Sequence, residues 1–132
     1  MQRIRTPAVA GLFYPDDPAT LQRQVDGFLR NAPATGAPPK ALVVPHAGYI
    51  YSGPVAASAY ARLRPLRGLI TRVVLLGPAH RVGFRGLAAS SATAFRTPLG
   101  DIPLDSAALT ALRAFPQVRE LDDAHAQEHS LE

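Results

Sequence analysis

The sequence predicts an α/β fold with a mainly parallel sheet and flanking helices, and three observations lead there. Short, continuous apolar runs rich in valine and leucine recur at 41–44 and 73–76, as in strands buried on both faces. Stretches with helical apolar spacing alternate with them, and strand–helix alternation favours right-handed parallel crossovers. Each run stops at a proline-containing step that ends in a histidine, His46 or His80.

Residues 1–17 are rich in turn formers, and Asp17 is placed to cap the segment after it. From Pro18 to Arg30 the apolar residues are Leu21, Val25, Phe28 and Leu29, an i, i+4, i+7, i+8 stripe that predicts an amphipathic helix. Residues 31–39 read as a loop. Strands are expected at Ala41–Val44 and Arg72–Leu76. A helix is expected over Pro54–Leu63, with proline at its first position and Val55, Ala59, Tyr60 and Leu63 inward. Leu87–Phe95 is a weaker candidate for a third strand, and Arg96–Asp101 for a hairpin turn. A third helix fits Ser106–Phe115, stopped by Pro116, and a fourth starts at Asp122.

With 132 residues, 47% of them apolar, the chain suits one domain, residues 1–132, with a core of its own. Cysteine is absent, which removes disulfides and thiolate ligands from this stretch. No apolar run nears the roughly 18 residues needed to cross a bilayer, and residues 1–10 lack the apolar core of a secretory signal. A cytoplasmic protein without membrane contact is expected. The net charge of +4 comes from scattered arginines without a basic run, so no nucleic-acid partner is expected.

His46 and His80 carry the chemistry. Both follow buried-type strands, and open α/β sheets bind ligands at the carboxyl ends of their strands. If the two strands are neighbours, they lie about 4.8 Å apart, and two imidazoles rising from their ends can reach one ion, an environment suited to zinc, copper, iron or nickel. Tyr49 has two readings, a hydrogen-bond donor into a pocket or a core residue. His125-Ala126-Gln127-Glu128-His129 matches the inverted zinc-peptidase pattern. On a helix its two histidines would share a face, with Glu128 polarising a bound water. A capped, solvated helix start explains the same residues. No serine-hydrolase elbow or phosphate-binding loop is present.

Five motifs in order then resemble a known family: Pro7-Ala8-Val9-Ala10-Gly11-Leu12-Phe13-Tyr14-Pro15; Pro45-His46-Ala47-Gly48-Tyr49 with Tyr51-Ser52-Gly53; Leu76-Gly77-Pro78-Ala79-His80; Thr97-Pro98-Leu99-Gly100; and Glu128-His129-Ser130-Leu131-Glu132. The chain resembles the Memo-like proteins, called AmmeMemoRadiSam system protein B in prokaryotes, over the N-terminal half of their length. The resemblance implies a truncated fold akin to the class III extradiol dioxygenases. It implies non-haem iron or copper as the metal, with His46 and His80 as two ligands. Tyr49, Glu128 and His129 are expected as substrate-contacting or ligand-supporting groups.

The third ligand, a cysteine in animal members, would lie outside this chain, and two histidines alone hold a metal weakly, so this stretch is expected to be metal-free by itself. A half-length chain also leaves sheet edges and apolar surface uncovered, favouring association. Family members are linked to redox chemistry and, in animals, to phosphotyrosine-peptide signalling. A radical-SAM protein and an AmmeMemoRadiSam A-type domain are the partners implied. Three functions are thereby expected: a metal-dependent, dioxygenase-like oxidoreductase; a non-catalytic module binding a peptide or small ligand at a vestigial metal site; and the inverted-motif hydrolase.

Overall fold

The computed structural model describes residues 3–132, so Met1 and Gln2, at the start of the stretch that lacks a secretory signal's apolar core, lie outside the described residues. The chain is mixed α/β, with helices and small sheets, and divides into two compact units: residues 10–76, and residues 3–9 together with 77–132.

In residues 10–76 the turn at Gly11 (φ +79°) is closed by the Gly11 N–H donating to the Tyr14 carbonyl at 2.8 Å. Helix α1 spans Pro18–Asn31, as its apolar stripe predicts. Asp17 caps it, accepting from the Thr20 N–H at 2.8 Å and the Thr20 hydroxyl at 2.6 Å, a cap that contributes about 1 kcal/mol. Leu21 is buried, while Val25, Phe28 and Leu29 are half-buried. Helix α2 spans Tyr49–Tyr60 and continues as a 3₁₀ turn, Ala61–Leu66. A Cβ on Gly53 would stand 2.4 Å from Phe28 Cε2, so the missing side chain lets α1 and α2 approach.

The start of α2 differs from expectation. Proline favours the first helical position, yet Pro54 sits inside the helix. A full turn precedes it because Gly48 and Phe13 supply the acceptors: the Gly48 carbonyl takes the Tyr51 and Ser52 N–H groups at 2.9 and 3.1 Å, and the Phe13 carbonyl takes that of Tyr49 at 2.7 Å. Ser52 Oγ adds a bond to the Ala47 carbonyl at 2.6 Å.

Neither 41–44 nor 72–76 forms a strand, which corrects the expectation of two buried strands there. Among the described residues, 10–76 contain one isolated bridge, Ala10 with Tyr14, and no strand to pair with. A strand needs a lateral partner for its backbone groups, and apolar pattern alone cannot provide one.

The unit of residues 3–9 and 77–132 holds two small sheets. In the first, β1 (Ile4–Arg5) pairs parallel with β3 (Ala94–Thr97), which forms an antiparallel hairpin with β4 (Gly100–Pro103). The hairpin turn falls where Thr97-Pro98-Leu99-Gly100 predicts it, with Gly100 at φ +130°. In the second, β2 (Leu87–Ala89) pairs parallel with β5 (Val118–Glu120). The single strand expected over 87–95 is therefore two. Asp122 holds the break between them, accepting from Ser90 Oγ at 3.0 Å and the Ser91 N–H at 2.8 Å.

Helix α3 (Ser106–Leu112) is capped by Asp105 and ends before Phe115, and α4 (Asp123–Ala126) is a single turn. No helix among the described residues is long and apolar enough to cross a membrane.

Gly86 joins β2 to the segment before it with φ +88°, and a Cβ there would meet the Gln117 carbonyl oxygen at 2.3 Å. Left-handed backbone strains any other residue, and backbone cannot yield as a side-chain tip can. Gly86→Ala is expected to destabilise the chain by about 2 kcal/mol or more. Gly83→Ala, with nothing within 4 Å of its added Cβ, should be near neutral. Equal thermal midpoints for the two variants would contradict this close approach.

Candidate functional site

The residues 77–132 bring together His80, Glu128 and His129. The chain reaches His80 through Gly77 and Pro78, and the closeness of the 128–131 segment dictates the glycine: a Cβ on Gly77 would stand 2.5 Å from Ser130 Oγ and 2.7 Å from Leu131 Cδ2. Ser130 Oγ donates to the Pro78 carbonyl at 2.7 Å, fastening the two stretches just before His80.

Glu128 is the centre of this arrangement. Its carboxylate is buried, with a side chain 6% exposed, and it accepts four hydrogen bonds. The His80 N–H donates to Oε2 at 2.5 Å. His80 Nδ1 lies 2.8 Å from Oε1. The N–H groups of His129 and Ser130 donate to Oε1 at 2.8 and 2.9 Å. Burial pushes the Glu128 carboxyl up, but the bonds from the His80 N–H and ring, and then from Ser130 and His129, outweigh it and hold the group down at about 2. The carboxylate is thus ionised throughout the neutral range.

The consequence falls on His80. An imidazole whose Nδ1–H donates a hydrogen bond to a carboxylate carries its lone pair on Nε2, the tautomer and orientation found in metal-ligating histidines. The His129 ring stacks on it, centroids 4.5 Å apart and planes 16° from parallel, and one ring nitrogen of each lies within 4.8 Å of the other. The His80 side chain is 39% exposed and that of His129 19%, so the pair opens to solvent above a buried anion. The donor set is nitrogen over an oriented carboxylate, which fits an imidazole-favouring ion of the zinc, copper, iron and nickel group.

A further layer, not apparent from the sequence, surrounds Glu128. Arg5 from β1 donates Nε to the His125 carbonyl at 3.0 Å, and its guanidinium also bonds the Glu128 carbonyl and the Glu132 carboxylate. Glu132 in turn accepts from the Ala8 and Val9 N–H groups at 2.7 and 3.2 Å. Ser130 and Glu132 stand inside the motif 128–132, where their spacing was visible and their partners were not.

His46 lies in the coil before α2 and is exposed. Tyr49, the first residue of α2, packs against Tyr14 with centroids 5.3 Å apart and lines a hollow of about 260 Å³ with Gly11, Gln24 and Ile50. Both readings of Tyr49 thus have a physical setting within residues 10–76.

The inverted peptidase arrangement is absent. Helix α4 ends at Ala126, and Gln127 leaves helical geometry at φ −119°, so His125 and His129 do not share a helical face. His125 Nε2 lies 3.0 Å from the Ala88 carbonyl, with its ring edge-on to Phe95. Glu128 is committed to four donors and is not placed to activate water.

The Memo-like protein family model matches residues 5–132. A MEMO1 family protein of Aquifex aeolicus is 39% identical over 98% of this chain and 47% of its own length. One of Methanopyrus kandleri is 41% identical over 97% of this chain and 48% of its own, and one of Sulfolobus acidocaldarius 38% over 98% and 50%. The chain spans about half the length of these curated relatives.

A depressed carboxyl contributes stability above its unfolded value, near 4.3, and loses that contribution as pH falls through its folded value. With Glu128 held at about 2, its ionised form contributes on the order of 3 kcal/mol at neutral pH, lost between about pH 4.5 and 2. Glu128→Gln is expected to unfold at lower urea than the parent at pH 7, with the gap closing toward pH 2. A gap independent of pH would mean that the charge is not what stabilises the site.

Proposed function

From the premise that the chain belongs to the Memo-like protein family, we propose that it forms part of a metal-binding, dioxygenase-like oxidoreductase in which His46 and His80 hold the ion. The observation that carries this reading is the buried Glu128 carboxylate bonded to Nδ1 of His80 at 2.8 Å. A carboxylate behind a histidine fixes its tautomer and raises its basicity as a ligand.

His46 enters through its motif, Pro45-His46-Ala47-Gly48-Tyr49, the counterpart of Pro78-Ala79-His80. His129 is the best third nitrogen that this chain can offer, since its ring stacks on that of His80 and the sequence has no cysteine. A bound iron or copper ion would supply a Lewis-acid and redox centre. The chain's own part is to present imidazole nitrogens, keep the Glu128 anion beneath the His80 ring and hold the 128–130 turn still. The Tyr49 ring is proposed to face substrate from the hollow beside Tyr14. A radical-SAM protein and an A-type domain remain the partners proposed for the whole protein.

One observation favours a second reading. The Glu128 hydrogen bonds satisfy the carboxylate without any ion, so the same pocket can persist as a binding module for a peptide or small anion.

Metal uptake separates the two. With iron(II) or cobalt(II) in anaerobic equilibrium dialysis, His80→Ala and His46→Ala are each expected to weaken binding by about 100-fold, and Glu128→Gln by about 10- to 100-fold. His125→Ala should leave uptake unchanged. Undiminished uptake by the His46/His80 double variant would exclude the metal reading and leave the binding module.

A further inference from the structure

The side chain of Arg5 is almost fully enclosed, at 9% exposed, and each of its three guanidinium nitrogens meets a different acceptor. Nε donates to the His125 carbonyl at 3.0 Å. One terminal nitrogen donates to the Glu132 carboxylate and the other to the Glu128 carbonyl. The Phe95 ring, cross-strand from Arg5 in the β1–β3 pair, has its centroid 5.3 Å from the guanidinium carbon. Glu132 is anchored in turn by the N–H groups of Ala8 and Val9, at 2.7 and 3.2 Å. A planar fork with three acceptors and a ring against it is a fixed reference point, unlike a mobile surface charge.

An ion pair that only tied β1 to the end of the chain would need the Glu132 bond alone. The bond to the Glu128 carbonyl does something else. That carbonyl and the His129 N–H belong to one planar peptide, and in a trans peptide the two point in opposite directions. Arg5 grips the oxygen end, while the N–H end donates to Glu128 Oε1 at 2.8 Å. The same Oε1 lies 2.8 Å from His80 Nδ1. A continuous line therefore runs from guanidinium through peptide and carboxylate to imidazole. The cation also polarises the peptide it grips, which strengthens the N–H as a donor. The Ser130 N–H reaches Oε1 as well, at 2.9 Å, so two backbone donors hold this oxygen from a turn whose first carbonyl is pinned.

We propose that Arg5, braced by Glu132, is a positioning residue for His80: it aims the His129 N–H at Glu128 Oε1 and so fixes the oxygen that selects the His80 tautomer. Arg5 acts through the peptide and the carboxylate alone. Its consequence for a metal rests on the proposed reading of His80 as a ligand, whereas the positioning does not. Lysine cannot take its place. An ammonium keeps the charge, and with it the attraction to Glu132, but it lacks the planar fork that bonds three acceptors at once.

The test compares Arg5→Lys with the parent by NMR of the metal-free 132-residue chain, in solution alkaline enough to leave free imidazole uncharged. Glu132→Gln, which removes only the brace, carries the test if the lysine variant does not fold. Two signals report: the ring-nitrogen shifts of His80, which distinguish the tautomers, and the His129 amide proton, which a bond to a carboxylate moves downfield. The parent is expected to keep the His80 proton on Nδ1 and the His129 amide downfield. Both variants are expected to move that amide upfield and to let the Nε2–H tautomer appear. Arg3→Lys, at the exposed pair with Asp122, should move neither signal. In dialysis against cobalt(II), Arg5→Lys is expected to weaken uptake about tenfold, as loss of an outer support does. Variants that lose thermal stability while both signals stay as in the parent would overturn the proposal, because Arg5 would then only tie β1 down. Signals that move in a chain whose parent takes up no cobalt would uphold the positioning and overturn the ligand reading of His80 instead.

Discussion

A single buried carboxylate organises the region from which the chemistry is argued. Glu128 satisfies four donors from three residues, two of them on His80. Leaving any of those donors unpaired in a buried setting carries a penalty of roughly 1–3 kcal/mol, so the turn at 128–130 and the residue at 80 are bound to one geometry. The glycine at 77, the Ser130 hydroxyl on the Pro78 carbonyl and the stacked rings are consequences of that closeness. Arg5 extends the constraint outward, since one guanidinium contacts the backbone of residues 125 and 128 and the carboxylate of Glu132. With side chains only 9% and 6% exposed, the Arg5–Glu132 pair is a case where removing one partner strands the other. β1 is only two residues long, and this pair ties it down in addition to its pairing with β3.

The features legible in the sequence were those that depend on local chemistry. Asp17 and the apolar stripe define α1 because the cap and the stripe are both short-range facts. The hairpin at 97–100 arises from proline and glycine, whose backbone preferences do not depend on distant residues. His80, Glu128 and His129 could be singled out, but not their arrangement, since 48 positions separate the first two. Arg5 gave no local sign of its role at all. The largest departure, at 41–44 and 72–76, has a plain cause. An apolar run records that a segment is selected for burial; it does not record whether the partner that buries it lies in the same stretch of chain. The strand expected over 87–95 failed in a different way. Ser90 and Ser91 turn to a side-chain acceptor, Asp122, which competes with the ladder for the backbone, and the ladder gives way at that point.

These two departures bear on how the chemistry and the fold are related. The contacts between His80 and Glu128 are made within residues 77–132. A histidine is a precise ligand only when the element behind it is fixed, and the residues behind these two, 41–44 and 72–76, are in coil. The orientation of the His80 ring is set by Glu128, but its backbone is approached from coil at 72–76. Ordering that segment would therefore tighten the ligand without touching it. If an ion binds at His80 as proposed, whatever orders 73–76 lowers the ordering entropy that binding must otherwise overcome. Under that proposal a weak metal site and a strong one would be the same site, differing in how much of its rigidity has been supplied beforehand.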